Sequence, residues 1–110
     1  MYKRQVIIAT GSQSALPPID GIQSVPVLDS TAALALGTLP QSLLVIGGGV
    51  IGVELGQLFA RAGVSVTLCC RSRLLPEAEP EVSVALAIQL RSEGVQVRDC
   101  LLYTSDAADE

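Results

Sequence analysis

The run Leu43-Leu44-Val45-Ile46-Gly47-Gly48-Gly49-Val50-Ile51-Gly52-Val53-Glu54-Leu55-Gly56 decides how the rest of the chain is read. Leu43 to Ile46 is a short unbroken apolar run, the pattern of a strand buried on both faces of a parallel sheet. Gly47, Gly49 and Gly52 follow in G-x-G-x-x-G spacing. In such a turn the first glycine permits the tight bend, the second lets a pyrophosphate approach the backbone, and the third lets the helix pack closely on the strand. The helix opening here has first-turn N–H groups without intrahelical partners at the positive end of its dipole, and a phosphate suits them. The spacing alone is weak. A strand before it, a helix after it and a second apolar stretch from Val64 supply the context it requires. The bland alternative is that the glycines serve only helix–strand packing.

Downstream, the pattern predicts βαβαβ. A helix over roughly 50–62 places Ile51, Leu55, Leu58, Phe59 and Ala62 on its buried face and Gln57 and Arg61 opposite, and Gly63 ends it. The second strand is Ser65–Cys69. After the connection Arg71-Ser72-Arg73-Leu74-Leu75-Pro76 comes a helix with Pro80 at its first position and Glu79 and Glu81 near its positive end. Val82, Ala85, Leu86 and Leu90 form its expected buried stripe, Gly94 terminates it, and a third strand begins over 95–97. The expected fold is therefore an α/β, Rossmann-like mononucleotide-binding half of a doubly wound sheet, spanning 41–99.

Upstream, Val6 to Ala9 reads as a short buried strand that leaves sharply through Thr10-Gly11-Ser12. Adjacent Pro17 and Pro18 exclude helix, and Asp20-Gly21 favours a turn. Asp29-Ser30-Thr31 can cap a short helix over 32–36, which Gly37 closes. The shift in composition near Pro40 marks the expected domain boundary.

At 110 residues and 49% hydrophobic positions the chain suffices for one small domain, although 3% aromatic content and no Trp make a thin core. A formal charge of −4 argues against nucleic acid or an anionic membrane as partner. No apolar run approaches the ~20 residues of a membrane span, and no signal-peptide pattern is present, so the cytoplasm is the default location. The 3 cysteines, with Cys69 and Cys70 adjacent, form neither a disulfide framework nor a metal spacing. Cys69 and Cys70 read as small packed residues rather than a redox pair, because neighbouring cysteines bridge only with strain. With no His in the sequence, the commonest general base and metal ligand is absent, so little acid-base machinery and no metal-ligating residue are expected here.

The cofactor is chosen at the end of the second strand. An NAD-preferring site usually carries Asp or Glu there, about 20 residues after the glycines, to hold the ribose 2′-hydroxyl. Here the position is Cys70, and Arg71 and Arg73 follow. A carboxylate would repel a 2′-phosphate, whereas a guanidinium gives it charge-assisted hydrogen bonds. NADPH is therefore expected in preference to NADH. Without the upstream motif, the two arginines would read as ordinary solvated charge. Glu54 reads, on its own, as a dipole-favoured solvent carboxylate.

The segments Ile8-Ala9-Thr10-Gly11-Ser12, Leu16-Pro17-Pro18-Ile19, Ser30-Thr31-Ala32-Ala33-Leu34 and Gly47 through Gly56 resemble the FAD-dependent class I pyridine nucleotide-disulfide oxidoreductases. The resemblance covers residues 6–99. It implies that Thr10 and Gly11 close a segment of the FAD domain near the flavin. It also implies that Gly47, Gly49 and Gly52 lie by the nucleotide pyrophosphate and that Glu54 sits near the nicotinamide. Within the family, Glu54-Leu55-Gly56-Gln57-Leu58-Phe59-Ala60-Arg61 and the Arg71–Pro76 and Glu79–Val82 stretches are most similar to the mercuric reductase branch. Asp29 and Ala33 depart from that branch's pattern. Lipoamide dehydrogenases, the alternative, usually carry an acid where Cys70 stands. The implied chemistry of the whole protein passes hydride from NADPH to FAD, then electrons to a dithiol, then to Hg(II), in a homodimer.

The expected organisation is a foreign leader over 1–5, a segment of FAD-binding domain and linker over 6–40, the nucleotide-binding half over 41–99, and a foreign or disordered tail over 100–110. Both ends resemble translated sequencing-adapter read-through, which makes the chain an expected internal fragment. The resemblance implies that the redox pair Cys-x4-Cys and the interface domain of the family lie outside it and that no catalytic residue lies in this chain, leaving nucleotide binding without chemistry. A stand-alone nucleotide-binding module is the alternative of another class.

Overall fold

The computed structural model describes residues 4–99. The chain divides into two compact units, between Ala35 and Leu36. The expectations for 1–3 and for 100–110 lie outside the described residues.

In the first unit, residues 22–24 form a single 3-10 turn and Ser30–Leu34 form a short helix, α1. Asp29 is its N-cap, accepting the Ala32 N–H at 2.7 Å, so one orphan amide of the helix start is satisfied by the side chain the sequence singles out. The helix begins two residues before the expected start because Ser30 and Thr31 continue it rather than cap it. Val6 to Ala9 was expected as a strand and is not one: its backbone pairs with no strand among the described residues, and Val6, Ile7 and Ile8 are 82–89% exposed. An apolar run becomes a strand only when a neighbour accepts its backbone hydrogen bonds.

The second unit is the expected βαβαβ. Strand β1 (Ser42–Ile46), helix α2 (Val50–Arg61), strand β2 (Ser65–Cys69), helix α3 (Pro80–Ser92) and strand β3 (Gln96–Arg98) follow in order. The sheet is parallel with spatial order β1-β2-β3. Its register sets Ile46 beside Cys69 and Cys69 beside Arg98, so all three strands end together. Pro80 stands at the first position of α3, where its missing N–H is not needed.

The core gathers Val66, Leu68, Leu74 and Leu90, with Phe59, Val95 and Val97 around them. The helices meet it only partly through the expected faces: Phe59 of α2 and Leu90 of α3 are buried as expected, and other positions are not. In α2 the buried residues are Val53, Gly56 and Phe59, while Ile51 and Leu58 are 61% and 52% exposed. The reason is Gly56: a Cβ there would lie 3.2 Å from Leu68 Cδ1, so the bare backbone is the point of closest approach, and apolarity counts cannot see it. In α3 the buried residues are Ser83, Ala87 and Leu90, while Val82 and Ala85 are exposed and Leu86 is half-buried. Ser83 can be buried because its hydroxyl donates to the Leu74 carbonyl at 2.5 Å. Strand β1 is not covered on both faces either. Val45 faces α2, within reach of Gly52 and Gly56, whereas Leu44 and Ile46 point the other way and are 59% and 51% exposed.

Candidate functional site

The glycine-rich turn occupies the end of the sheet where β1 finishes, and its three motif glycines differ in what surrounds them. Gly47 has φ of +126°, a region closed to residues with a side chain, and its N–H donates to the Cys69 carbonyl at 2.8 Å. Gly49 is the N-cap of α2, and a Cβ there would meet nothing within 4 Å. That space is open to a ligand. A Cβ on Gly52 would stand 2.2 Å from the Gly47 carbonyl oxygen, so α2 leaves the turn at backbone contact with it. The first α2 bond runs from the Val53 N–H to the Gly49 carbonyl at 3.0 Å. The amides of Val50, Ile51 and Gly52 therefore precede the ladder at the positive end of the helix dipole, beside the open space over Gly49. This donor set fits a pyrophosphate.

A fourth glycine, Gly48, is sterically constrained as Gly52 is, and is missed by the G-x-G-x-x-G reading. A Cβ on it would lie 2.7 Å from Cys70 Cβ and 3.2 Å from the Arg73 carbonyl oxygen. Its own carbonyl accepts the Leu75 N–H at 2.7 Å. The signal available in the sequence is the uninterrupted Gly47-Gly48-Gly49. The motif treats its middle position as unspecified.

These contacts bring the connection after β2 directly onto the turn. Cys70 is buried, with its N–H donating to the Arg98 carbonyl at 2.9 Å and its thiol 3.8 Å from the same oxygen. The position that would carry an acid in an NAD site thus holds a small side chain turned into the protein. Cys69 is buried too, and burial pushes its thiol up, partly offset by Arg98, so it is a poor nucleophile at neutral pH. Arg71 is exposed. Arg73 is half-buried, and its Nη2 donates to the Pro76 and Ala78 carbonyls at 2.8 and 3.0 Å. No carboxylate occurs from Cys70 to Pro76.

The structure therefore joins Gly47, Gly49 and Gly52 to the Arg71–Arg73 connection in one place. Glu54 is exposed on α2. Thr10 and Gly11 belong to the first unit, where Thr10 is exposed and Gly11 has φ of +80°. Among the described residues no group of three or more His, Cys, Asp or Glu could hold a metal ion, and no helix is long and apolar enough to cross a membrane.

The family described as pyridine nucleotide-disulphide oxidoreductase matches residues 2–100. Mercuric reductase of Streptomyces lividans is 50% identical over 91 residues, which cover 83% of this chain and 19% of that protein. Mercuric reductase of Shigella flexneri is 43% identical over 93 residues, 84% of this chain and 16% of that protein. Among solved structures, the HOCl-induced flavoprotein disulfide reductase RclA of Escherichia coli superposes with a TM-score of 0.75 at 40% identity, over 84% of this chain and 22% of that one. An engineered water-forming NADPH oxidase bound to NADPH superposes with a TM-score of 0.53 at 29% identity, over 55% of this chain and 14% of that one. The chain spans less than a quarter of the length of each of these proteins.

Proposed function

The chain belongs to the pyridine nucleotide-disulphide oxidoreductase family, and from that premise we propose that residues 41–99 hold the NADPH of an FAD-dependent mercuric reductase. The family implies both FAD and a pyridine nucleotide. When bound, the nucleotide supplies a hydride to the flavin. The chain's own task is to bind and orient it. The amides of Val50, Ile51 and Gly52 receive the pyrophosphate in the space over Gly49, and Arg71 and Arg73 lie at the strand end where the adenosine ribose belongs. Glu54 is assigned to the nicotinamide end, and Thr10 and Gly11 to the flavin.

The observation that carries the choice of NADPH is the end of β2, where Cys70 is buried and acid-free and exposed Arg71 follows. A water-forming NADH oxidase from Lactobacillus brevis offers support. In its engineered NADPH-using form, a consecutive Asp-Ala-Met becomes Ala-Arg-Ser, and the glycine eighteen residues earlier becomes alanine. Cys70-Arg71-Ser72 has the same order of small non-acid, arginine and serine, eighteen residues after Gly52, although this chain keeps the glycine that the engineered enzyme replaces.

Hg(II) as the substrate rests on the mercuric reductases at 50% and 43% identity. The likeness to RclA favours a second reading, reduction of a disulfide substrate. Cytoplasmic location and a homodimer accompany both. Two measurements test the proposal. The whole protein oxidises NADPH only when Hg(II) is supplied; turnover with a disulfide and none with Hg(II) replaces the first reading by the second. Arg71→Glu weakens NADPH binding by about tenfold or more, the value of one lost charge-assisted hydrogen bond, and leaves NADH within about twofold. Equal losses for both nucleotides remove the 2′-phosphate role.

A further inference from the structure

The two arginines after Cys70 are not equivalent. Arg71 is exposed, with its side chain available to a ligand at the strand end. Both protons of Arg73 Nη2 are directed at carbonyl groups of its own loop, those of Pro76 and Ala78. Between these residues Leu75 has φ of +45°, a left-handed conformation that a leucine holds only when its surroundings enforce it. Three further bonds do so: Leu75 N–H to the Gly48 carbonyl at 2.7 Å, Ala78 N–H to the Leu75 carbonyl at 2.9 Å, and Ser83 Oγ to the Leu74 carbonyl at 2.5 Å. Arg73 spans the strained residue from the other side. Its carbonyl and the Leu74 Cα also press on Gly48, at 3.2 and 3.4 Å from where a Cβ would be. Loop and glycine turn are thus packed as one body.

We propose that Arg73 is a positioning residue that clamps the 71–78 loop against Gly48, and that Arg71 alone meets the 2′-phosphate. The inference rests on the NADPH reading and divides a role that reading leaves shared. Turning Arg73 toward a phosphate would release the carbonyls of Pro76 and Ala78 and free Leu75 to leave its strained conformation. Through Gly48 the slack would reach Gly49 and the amides that receive the pyrophosphate. Loss of Arg73 therefore weakens binding of any dinucleotide, with or without a 2′-phosphate.

NADP+ and NAD+ differ only by that phosphate, and their affinities for the full chain, measured by titration calorimetry, separate the two roles. Arg71→Gln is expected to lower NADP+ affinity about tenfold and leave NAD+ within about twofold, collapsing the preference. Arg73→Gln is expected to lower both affinities by the same factor, keep the ratio within about twofold of wild type, and speed hydrogen exchange at the Leu75 amide. Loss of NADP+ affinity alone in Arg73→Gln makes Arg73 a phosphate ligand and overturns the proposal, as does unchanged affinity for both nucleotides in a folded variant. Should that variant fail to fold, guanidinium NMR signals of the wild-type chain decide instead. The Arg71 signal is expected to shift with NADP+ and not with NAD+, and the Arg73 signal to respond alike to both; a shift at Arg73 specific to NADP+ overturns the assignment. A wild-type chain that binds the two nucleotides equally refutes the NADPH reading itself, and the proposal with it.

Discussion

The two ends of the βαβαβ unit are held together by different physics. Where the strands finish, backbone meets backbone: Gly52 lies against the Gly47 carbonyl, Gly47 N–H reaches Cys69, and Leu75 N–H reaches Gly48. Where α2 and α3 finish, side chains do the joining. Glu93 accepts Arg61 Nε at 2.5 Å, Gln57 Nε2 at 2.7 Å and Gln89 Nε2 at 3.1 Å. The difference follows from what each end must leave open. Amides offered to a ligand cannot be covered by side chains, so the turn gets its definition from missing Cβ atoms. The other end is tied by a cluster around the Glu93 carboxylate, which solvent and salt weaken.

Substitutions can break or sharpen that contrast. The largest effect belongs to Gly52→Ala, whose Cβ would collide with the Gly47 carbonyl oxygen, a backbone atom that cannot swing aside. A loss of about 3 kcal/mol in urea unfolding is expected, more than the ~1 kcal/mol that alanine returns in helix propensity. A variant as stable as wild type would show that the contact does not define this end. Gly49→Ala probes the same turn without the collision. Its φ of −78° and ψ of −175° suit alanine and the space is open, so stability should change by about 1 kcal/mol or less. Affinity for NADP+ and NAD+ should fall together, about tenfold, as the methyl occupies the pyrophosphate's approach. If both alanines cost the same stability, the distinction between packing glycine and ligand glycine is lost.

The smallest effect lies at the opposite end. The hydrogen bond from Arg61, then those from Gln89 and Gln57, hold the Glu93 carboxyl down from 4.5 to about 2. A carboxylate depressed in this way stabilises the fold fully above its unfolded value near 4.5 and loses that contribution as pH falls through about 2. Glu93→Gln should therefore flatten the decline of stability across that interval, followed by circular dichroism. The change should be smaller than either glycine effect, because Arg61 is 63% exposed. An equally steep decline in the variant would mean the cluster adds nothing in acid.

Local chemistry was legible where one residue answers for one backbone requirement. Asp29 caps α1, Pro80 opens α3, Gly47 bends the turn and Gly52 packs it as their spacing foretells. The order β1-α2-β2-α3-β3 was legible for the same reason, since apolar runs alternate with capped helical periods. Hydrophobicity alone placed Phe59 and Leu90 correctly and misjudged other positions of both faces. Ile51 and Val82 outrank Gly56 and Ser83 in apolarity, yet the latter are buried, one for lack of a side chain and one because Leu74 offers a carbonyl.

What the sequence by itself determined is therefore the succession of elements, the glycine-rich turn and the absence of an acid at Cys70. Each depends on the residue concerned and its near neighbours. What only the tertiary structure decided is that Val6 to Ala9 forms no strand, that Leu44 and Ile46 stay exposed, that Gly48 has no room for a side chain, and that Arg73 bonds its own loop. Strand pairing, burial and close approach are properties of two chain segments at once. Their outcome depends on distances between residues such as Gly48 and Cys70, or Gly56 and Leu68, which no local pattern contains.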